Sequence, residues 1–137
     1  MLARVGIAAR VATLPMNAYI PKARGGEFSF MMLGWGSYSG VLALRALAVT
    51  PDPAKGNGAW NWSRYSNPAL DALIEQAFRE PADAAREALA RDAMRLAMED
   101  VAVVPLHHQF AVWAMRAGLS YPGRTDEFTF ARDVRHN

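Results

Sequence analysis

The sequence predicts an α/β fold: a βαβ unit with a mixed sheet flanked by helices. Three observations lead there. Apolar stretches at about 4–13 and 27–34 carry strand patterning and bracket a short helical segment. Two stretches between 66 and 100 repeat their apolar residues at helical spacing. The chain has 137 residues, 52% hydrophobic and 20% charged, which suits one domain with its own core.

The first strand is expected at 4–13, where Val5, Ile7, Ala9 and Val11 alternate with Arg4, Ala8 and Arg10. The same arginines interrupt the apolar run that a signal peptide would need. A helix at 15–24 follows, opened by Pro15 and stopped by Gly25 and Gly26, with a kink or early end at Pro21. The second strand, 27–34, is apolar from Phe28 to Leu33 except at Ser29, which predicts burial on both faces. Strand, helix and strand together predict a right-handed crossover.

Residues 41–49, VLALRALAV, read as a short helix. The loop after it, TPDPAKGNGAWNWSRYSN, is long for a compact domain, and such loops are functional or disordered. Trp60, Trp62 and Tyr65 argue for order, because rings at this density pack against something. Ser66 or Asn67 caps the next helix and Pro68 takes its first turn. Its face comprises Leu70, Leu73, Ile74, Ala77 and Phe78. Pro81 opens a longer helix whose stripe is Ala85, Leu89, Ala93, Leu96 and Ala97, the alanines implying close approach to a neighbour. The chain then reads as extended over 101–119, with Pro105 at an edge or bulge, and as irregular from Ser120.

Lys+Arg is 15 and Asp+Glu 13, and the arginines are scattered, so nucleic acid is not an expected partner. No cysteine is present, which excludes disulfides and thiolate metal sites. No apolar run is long enough to span a membrane as a helix. The sequence has no phosphate loop, no G-x-S-x-G and no H-E-x-x-H, so no catalytic residue, cofactor or metal site is assigned. His107 and His108 are neighbours on a predicted strand and point to opposite faces, one inward and one outward, so they cannot chelate one ion together. A small α/β enzyme or accessory domain with a pocket including His107 or His108 is the alternative reading.

Trp35 raises the sharper question. It stands between Gly34 and Gly36 where a strand is expected to stop, and ligands bind beyond the carboxyl ends of strands in open α/β sheets. The glycines allow a sharp turn that leaves the ring projecting into a crevice.

Three motifs in order, GEFSFMMLGWG, NWSRYSNPALDALIEQA and AVVPLHHQFAVWAMRAGL, resemble the C-terminal part of the family-5 extracellular solute-binding proteins, the peptide- and nickel-type binding components of bacterial ABC importers. The resemblance runs from VGIAARV to RTDEFTFARDV. It implies a single domain, 1–137, that forms part of the C-terminal lobe of a type II periplasmic-binding-protein-like clamp. It also implies a longer periplasmic or extracellular parent, a missing N-terminal lobe, an ABC permease as partner, and no enzymatic activity. This chain, without a signal peptide, is then expected to be a truncated domain or fragment with a tendency to self-associate. In peptide-binding members the tryptophan matching Trp35 lines the ligand cavity, and an aspartate three residues on holds the ligand's α-amino group. Here that position is Tyr38, which weakens the expectation of a free peptide. The ligand-binding set expected is therefore Gly34, Trp35, Gly36, Tyr38, Asn61 and Trp62. The wider family also takes nickel complexes, haem, opines, sugars and glutathione.

Overall fold

The computed structural model describes residues 2–137. Four helices dominate it: α1 (Met16–Gly25), α2 (Gly40–Leu47), α3 (Pro68–Arg79) and α4 (Asp83–Glu99). Two short strands, β1 (Leu119–Ser120) and β2 (Arg135–His136), pair antiparallel, with Leu119 opposite His136. Short 3-10 turns lie at Leu2–Val5 and Ala131–Asp133. The result is a small, helix-rich α/β unit.

The helix signals hold up in detail. Asn67 caps α3: its Oδ1 accepts from the N–H of Ala69 at 2.9 Å and of Leu70 at 3.4 Å, and Pro68 occupies the first turn. Ser39 caps α2 from the N–H of Leu42. Gly26 ends α1 in the left-handed conformation at φ 76, and its N–H closes on the carbonyls of Lys22 and Ala23. α1 passes through Pro21 without ending there.

The core lies among α2, α3 and α4. Leu70, Ile74 and Ala77 from α3 meet Val41 and Leu44 from α2 and Ala93 and Ala97 from α4. The two alanines let α4 come close to α3, as the sequence implies. Phe78 and Ala85, at the ends of their stripes, are exposed instead, because the core does not reach that far along either helix. Phe78 is covered on one face by the Arg45 guanidinium, 4.7 Å from the ring centroid.

The predicted sheet is where the structure departs from expectation. Residues 4–13 form a 3-10 turn and then an extended, exposed segment, not a strand. Residues 27–34 bend at Ser29 and Phe30 and carry no ladder, so the described residues contain neither the βαβ unit nor its crossover. Nor is 27–34 buried on both faces: Phe30 is 68% exposed, while Met31 and Leu33 are half-buried. Residues 104–115 likewise carry no ladder before the turn at 117–118, and Phe110 is 91% exposed. The reason is physical. An extended segment becomes a strand only with a neighbour about 4.8 Å away to take its N–H and C=O groups. The pattern of these segments suits a sheet, but the only sheet among the described residues has two strands of two residues each. His107 and His108 are both exposed, since there is no sheet to give one of them an inner face.

One glycine is required by the packing. Gly58 is buried at φ 62, and a Cβ there would lie 2.6 Å from the carbonyl oxygen of Val49 and 2.7 Å from Cα of Pro51. Both obstacles are backbone, so neither moves cheaply. Gly58→Ala is expected to destabilise the chain by about 2–4 kcal/mol, combining left-handed strain with steric overlap. Urea unfolding followed by circular dichroism measures it, with Gly36→Ala as the control, since a Cβ there meets nothing within 4 Å.

Candidate functional site

The candidate site is built by the loop from 50 to 67 where it faces α1 and the segment after it. The loop is ordered from within. Asp52 and Asn57 pair through reciprocal backbone bonds of 3.1 and 3.0 Å. Arg45 of α2 reaches into the turn, donating from Nε to Asn57 Oδ1 at 2.8 Å and from Nη2 to the carbonyl of Lys55. Asn61 is 3% exposed and uses its whole amide. Its Nδ2 donates to the carbonyls of Val49 at 3.0 Å and Tyr65 at 2.8 Å. Its Oδ1 accepts from Ser63 Oγ at 3.0 Å and the N–H of Tyr65 at 3.1 Å.

From this frame an aromatic series emerges. Trp35 meets Trp60 edge-on with centroids 5.5 Å apart. Trp60 lies 4.9 Å from Trp62, and Trp62 meets Tyr19 of α1 edge-on at 6.3 Å. Tyr19 stacks on Phe28 at 5.5 Å and donates its hydroxyl to the carbonyl of Met32 at 3.0 Å. The series therefore joins α1, the extended segment and the loop, contacts worth about 0.5–1.5 kcal/mol each beyond area burial. The Trp62 Nε1–H is buried without an acceptor among the described residues, so packing alone holds that ring.

Beside Trp62, midway along the series, a hollow of about 430 Å³ opens, lined by Arg24, Pro51, Gly58, Ala59, Asn61, Trp62 and Arg64. Arg64 holds a left-handed backbone at φ 59. Its Nη2 lies 3.8 Å from where a Cβ on Gly26 would stand, so its guanidinium sits over the C-terminal end of α1. A second hollow, about 440 Å³, lies between the 108–113 segment and the 123–127 turn, and His108 lines it while His107 does not.

The expected site residues are distributed unevenly. Trp35, at 41% exposure, and Trp62 belong to the aromatic series, and Trp62 and Asn61 line the first hollow. Asn61 spends its polar atoms on the loop, so its part is to position the Trp62 ring. Tyr38 is 89% exposed and lines neither hollow. Gly34 and Gly36 do not adopt positive φ, and side chains would fit at both, so the turn at Trp35 does not depend on them. Sequence reasoning missed Arg24, Arg64 and Gly58. Gly58 stood legibly between Asn57 and Ala59 as a turn signal, whereas nothing in the linear sequence brings Arg24 to Arg64.

The comparisons with known proteins fall on this frame. Di/tripeptide-binding protein 1 of Pseudomonas aeruginosa is 29% identical to the chain over 115 residues, 83% of this chain and 21% of the relative. Di/tripeptide-binding protein 3 and a dipeptide-binding protein, also of Pseudomonas aeruginosa, are each 30% identical over 107 residues, 77% of this chain and 20% of theirs. The chain is similar to one segment of the di/tripeptide-binding proteins. It spans about a fifth of their length, and it matches the family-5 solute-binding resemblance carried by the three sequence motifs. No protein-family profile matches the chain. No solved structure matches it either. No metal-holding group of three or more His, Cys, Asp or Glu side chains occurs among the described residues, nor does a helix long and apolar enough to cross a membrane.

The far end of the loop is tied to α4 by charge. Tyr65 Oη–H donates to Asp100 Oδ2 at 2.6 Å and Asn67 Nδ2 donates to the same oxygen at 2.7 Å. These two bonds, the one from Tyr65 first, hold the Asp100 carboxyl below its ordinary range. Desolvation, and then the bond to Asp100, pushes the Tyr65 phenol up. The folded state thus binds fewer protons than the unfolded state as Asp100 titrates. Its contribution is present above the ordinary carboxylate range, near pH 4, and is lost as pH falls through the lowered value. Asp100→Asn is expected to flatten the rise of stability with pH across that acid window. Urea unfolding of both proteins at a series of acid pH values checks it, and an unchanged slope would contradict the assignment.

Proposed function

We propose that the chain supplies part of one lobe of a non-catalytic solute-binding protein that serves an ABC importer and takes a peptide-like small solute. The observation that carries this reading is the continuous aromatic series that runs from Trp35 through Trp62 beside an open hollow, in a chain similar to di/tripeptide-binding proteins over four fifths of its length. Flat rings beside a mostly apolar hollow that also carries two arginines suit a small solute with apolar and polar parts. Nothing in the arrangement supplies a nucleophile beside a base. The parent is then periplasmic or extracellular, the permease is its membrane partner, and the lobe opposite the aromatic series comes from the N-terminal part. The lobe assignment also accounts for the unpaired extended segments: they are strands of a sheet whose other members lie elsewhere in the longer relatives.

Half a clamp retains only part of the contacts and leaves water in the site. Calorimetry of residues 1–137 with alanyl dipeptides is expected to show binding far weaker than that of the full-length protein, and equal affinity would sink the lobe reading. In the full-length protein, Trp35→Ala is expected to weaken binding by about 1–3 kcal/mol with little loss of stability. A core tryptophan would instead lose roughly 3–5 kcal/mol of stability.

The exposed Phe30, Met32, Phe110 and Val112 give the isolated chain an apolar surface that favours self-association. Light scattering at rising concentration is expected to show a dimer or larger species, and a strict monomer at millimolar concentration counts against a missing covering segment.

A further inference from the structure

We propose that the hollow beside Trp62 binds the carboxylate of its solute through Arg24 and Arg64; this rests on the solute-binding reading and names the chemical group that the site selects.

The case is one of unmatched charge. Arg24 comes from the last turn of α1, and Arg64 from the loop forty residues further along the chain; both line the one hollow. Neither guanidinium lies within ion-pairing distance of an acid among the described residues, and neither donates a hydrogen bond there. Four arginines on the helices and the C-terminal turn are paired instead, whereas Arg4, Arg10 and Arg116, like Arg24 and Arg64, have no acid in reach among the described residues but line neither hollow. Arg79 pairs with Glu75, Arg86 with Asp83, Arg95 with Glu99 and Arg124 with Asp126. No acidic side chain lines the hollow, so two cations face it without a counterion.

Most other polar groups of the wall are already engaged. Asn61 has all its amide bonds within the loop. The N–H groups of Asn61, Trp62 and Arg64 donate to the carbonyls of Gly58, Trp60 and Asn61. The two guanidiniums and the Trp62 Nε1–H, which is buried without an acceptor, are donors left over, and a planar fork matches a carboxylate in two bonds. Arg64 is held in a left-handed conformation uncommon for a residue with a long side chain, a local strain of the kind that gathers at binding sites. The Trp62 ring and Pro51 add apolar wall, so the best ligand carries its carboxylate on an apolar body. An α-amino group meets no opposite charge here. Selection therefore falls on the acid end of the solute and not on its amino end.

Tryptophan fluorescence of the 137-residue chain reads the site directly, because Trp62 lies in its wall. Three probes separate the possibilities: alanyl-phenylalanine, its C-terminal amide, and 3-phenylpropionate. The dipeptide and phenylpropionate are expected to shift the emission saturably, and the amide to bind about tenfold more weakly, a charge-assisted bond discounted for exposure. The preference is expected to shrink as salt is raised. Arg24→Gln and Arg64→Asn should each bring the dipeptide down towards the amide while leaving the amide unchanged. Asn suits the left-handed backbone at 64. Arg95→Gln, on the far side of α4, should change nothing. Thermal melting confirms folding of each variant, and Arg24→Gln alone decides the matter if Arg64→Asn fails to fold. Equal binding of acid and amide, or a preference that survives both variants, overturns carboxylate selection and leaves the peptide reading standing. Binding of phenylpropionate without either peptide keeps the carboxylate site and removes the peptide reading. No saturable response to any probe overturns the carboxylate site of this chain and leaves the lobe reading, which expects weak binding by half a clamp, standing.

Discussion

Asn61 donates from Nδ2 to the carbonyls of Val49 and Tyr65, and accepts at Oδ1 from Ser63 and the Tyr65 backbone, while buried to 3% exposure. A buried amide is tolerable only when its donors and acceptor are all used, and leaving one unmet costs about 1–3 kcal/mol. This satisfaction joins the end of α2 to the start of α3 across the loop. With Val49 and Tyr65 held together, Gly58 passes against the Val49 carbonyl, Trp60 and Trp62 come side by side, and Arg64 is left at its left-handed turn facing the hollow. The core of α2, α3 and α4 supplies the platform, but the site's shape is set by one side chain that does not itself reach solvent.

The division of labour in the loop follows from this. Polar atoms near the core are spent on the fold, as in Asn61, Asp52 and Asn57. Those at the rim, on Arg24 and Arg64, have no partner within it. The aromatic rings lie between, packed on one another and half-open to solvent. The junction of Tyr65 and Asn67 with Asp100 closes the far end of the loop on α4. The loop is thus fastened to α2 at one end and to α4 at the other, and what faces outward has rings and guanidiniums on it.

How much of this was legible differed by the kind of signal. Helices announce themselves within a few residues, and Asn67 with Pro68, Gly25 with Gly26, and the Leu70–Ile74–Ala77 spacing each gave the right element, because caps and amphipathic faces are local facts. Strands do not announce themselves so completely. The alternation at 5–11 and the run at 28–33 record what those residues suit, while pairing needs a neighbour that no local window contains. Trp35 and Trp62 could be singled out as aromatic residues in glycine- and asparagine-rich surroundings. Arg24 and Arg64 could not, because their meeting depends on the path of the loop and not on spacing. The flanking glycines of Trp35 suggested a sharp turn that the backbone does not make, whereas the glycine that the packing demands is Gly58.

The unpaired extended segments have a consequence for the chain's internal motions. Amide hydrogens trade with solvent deuterium only when their bonds open, and those without a protein acceptor need no opening at all. Amides of 8–14, 28–36 and 104–115 therefore exchange at close to the free-chain rate, while those of α3 around Leu70 and Ile74 wait for the helical core to come apart. The molecule is a slow-exchanging kernel carrying fast-exchanging arms. A covering segment seated along those arms would be registered first as a slowing of their deuteration, before any change in the kernel.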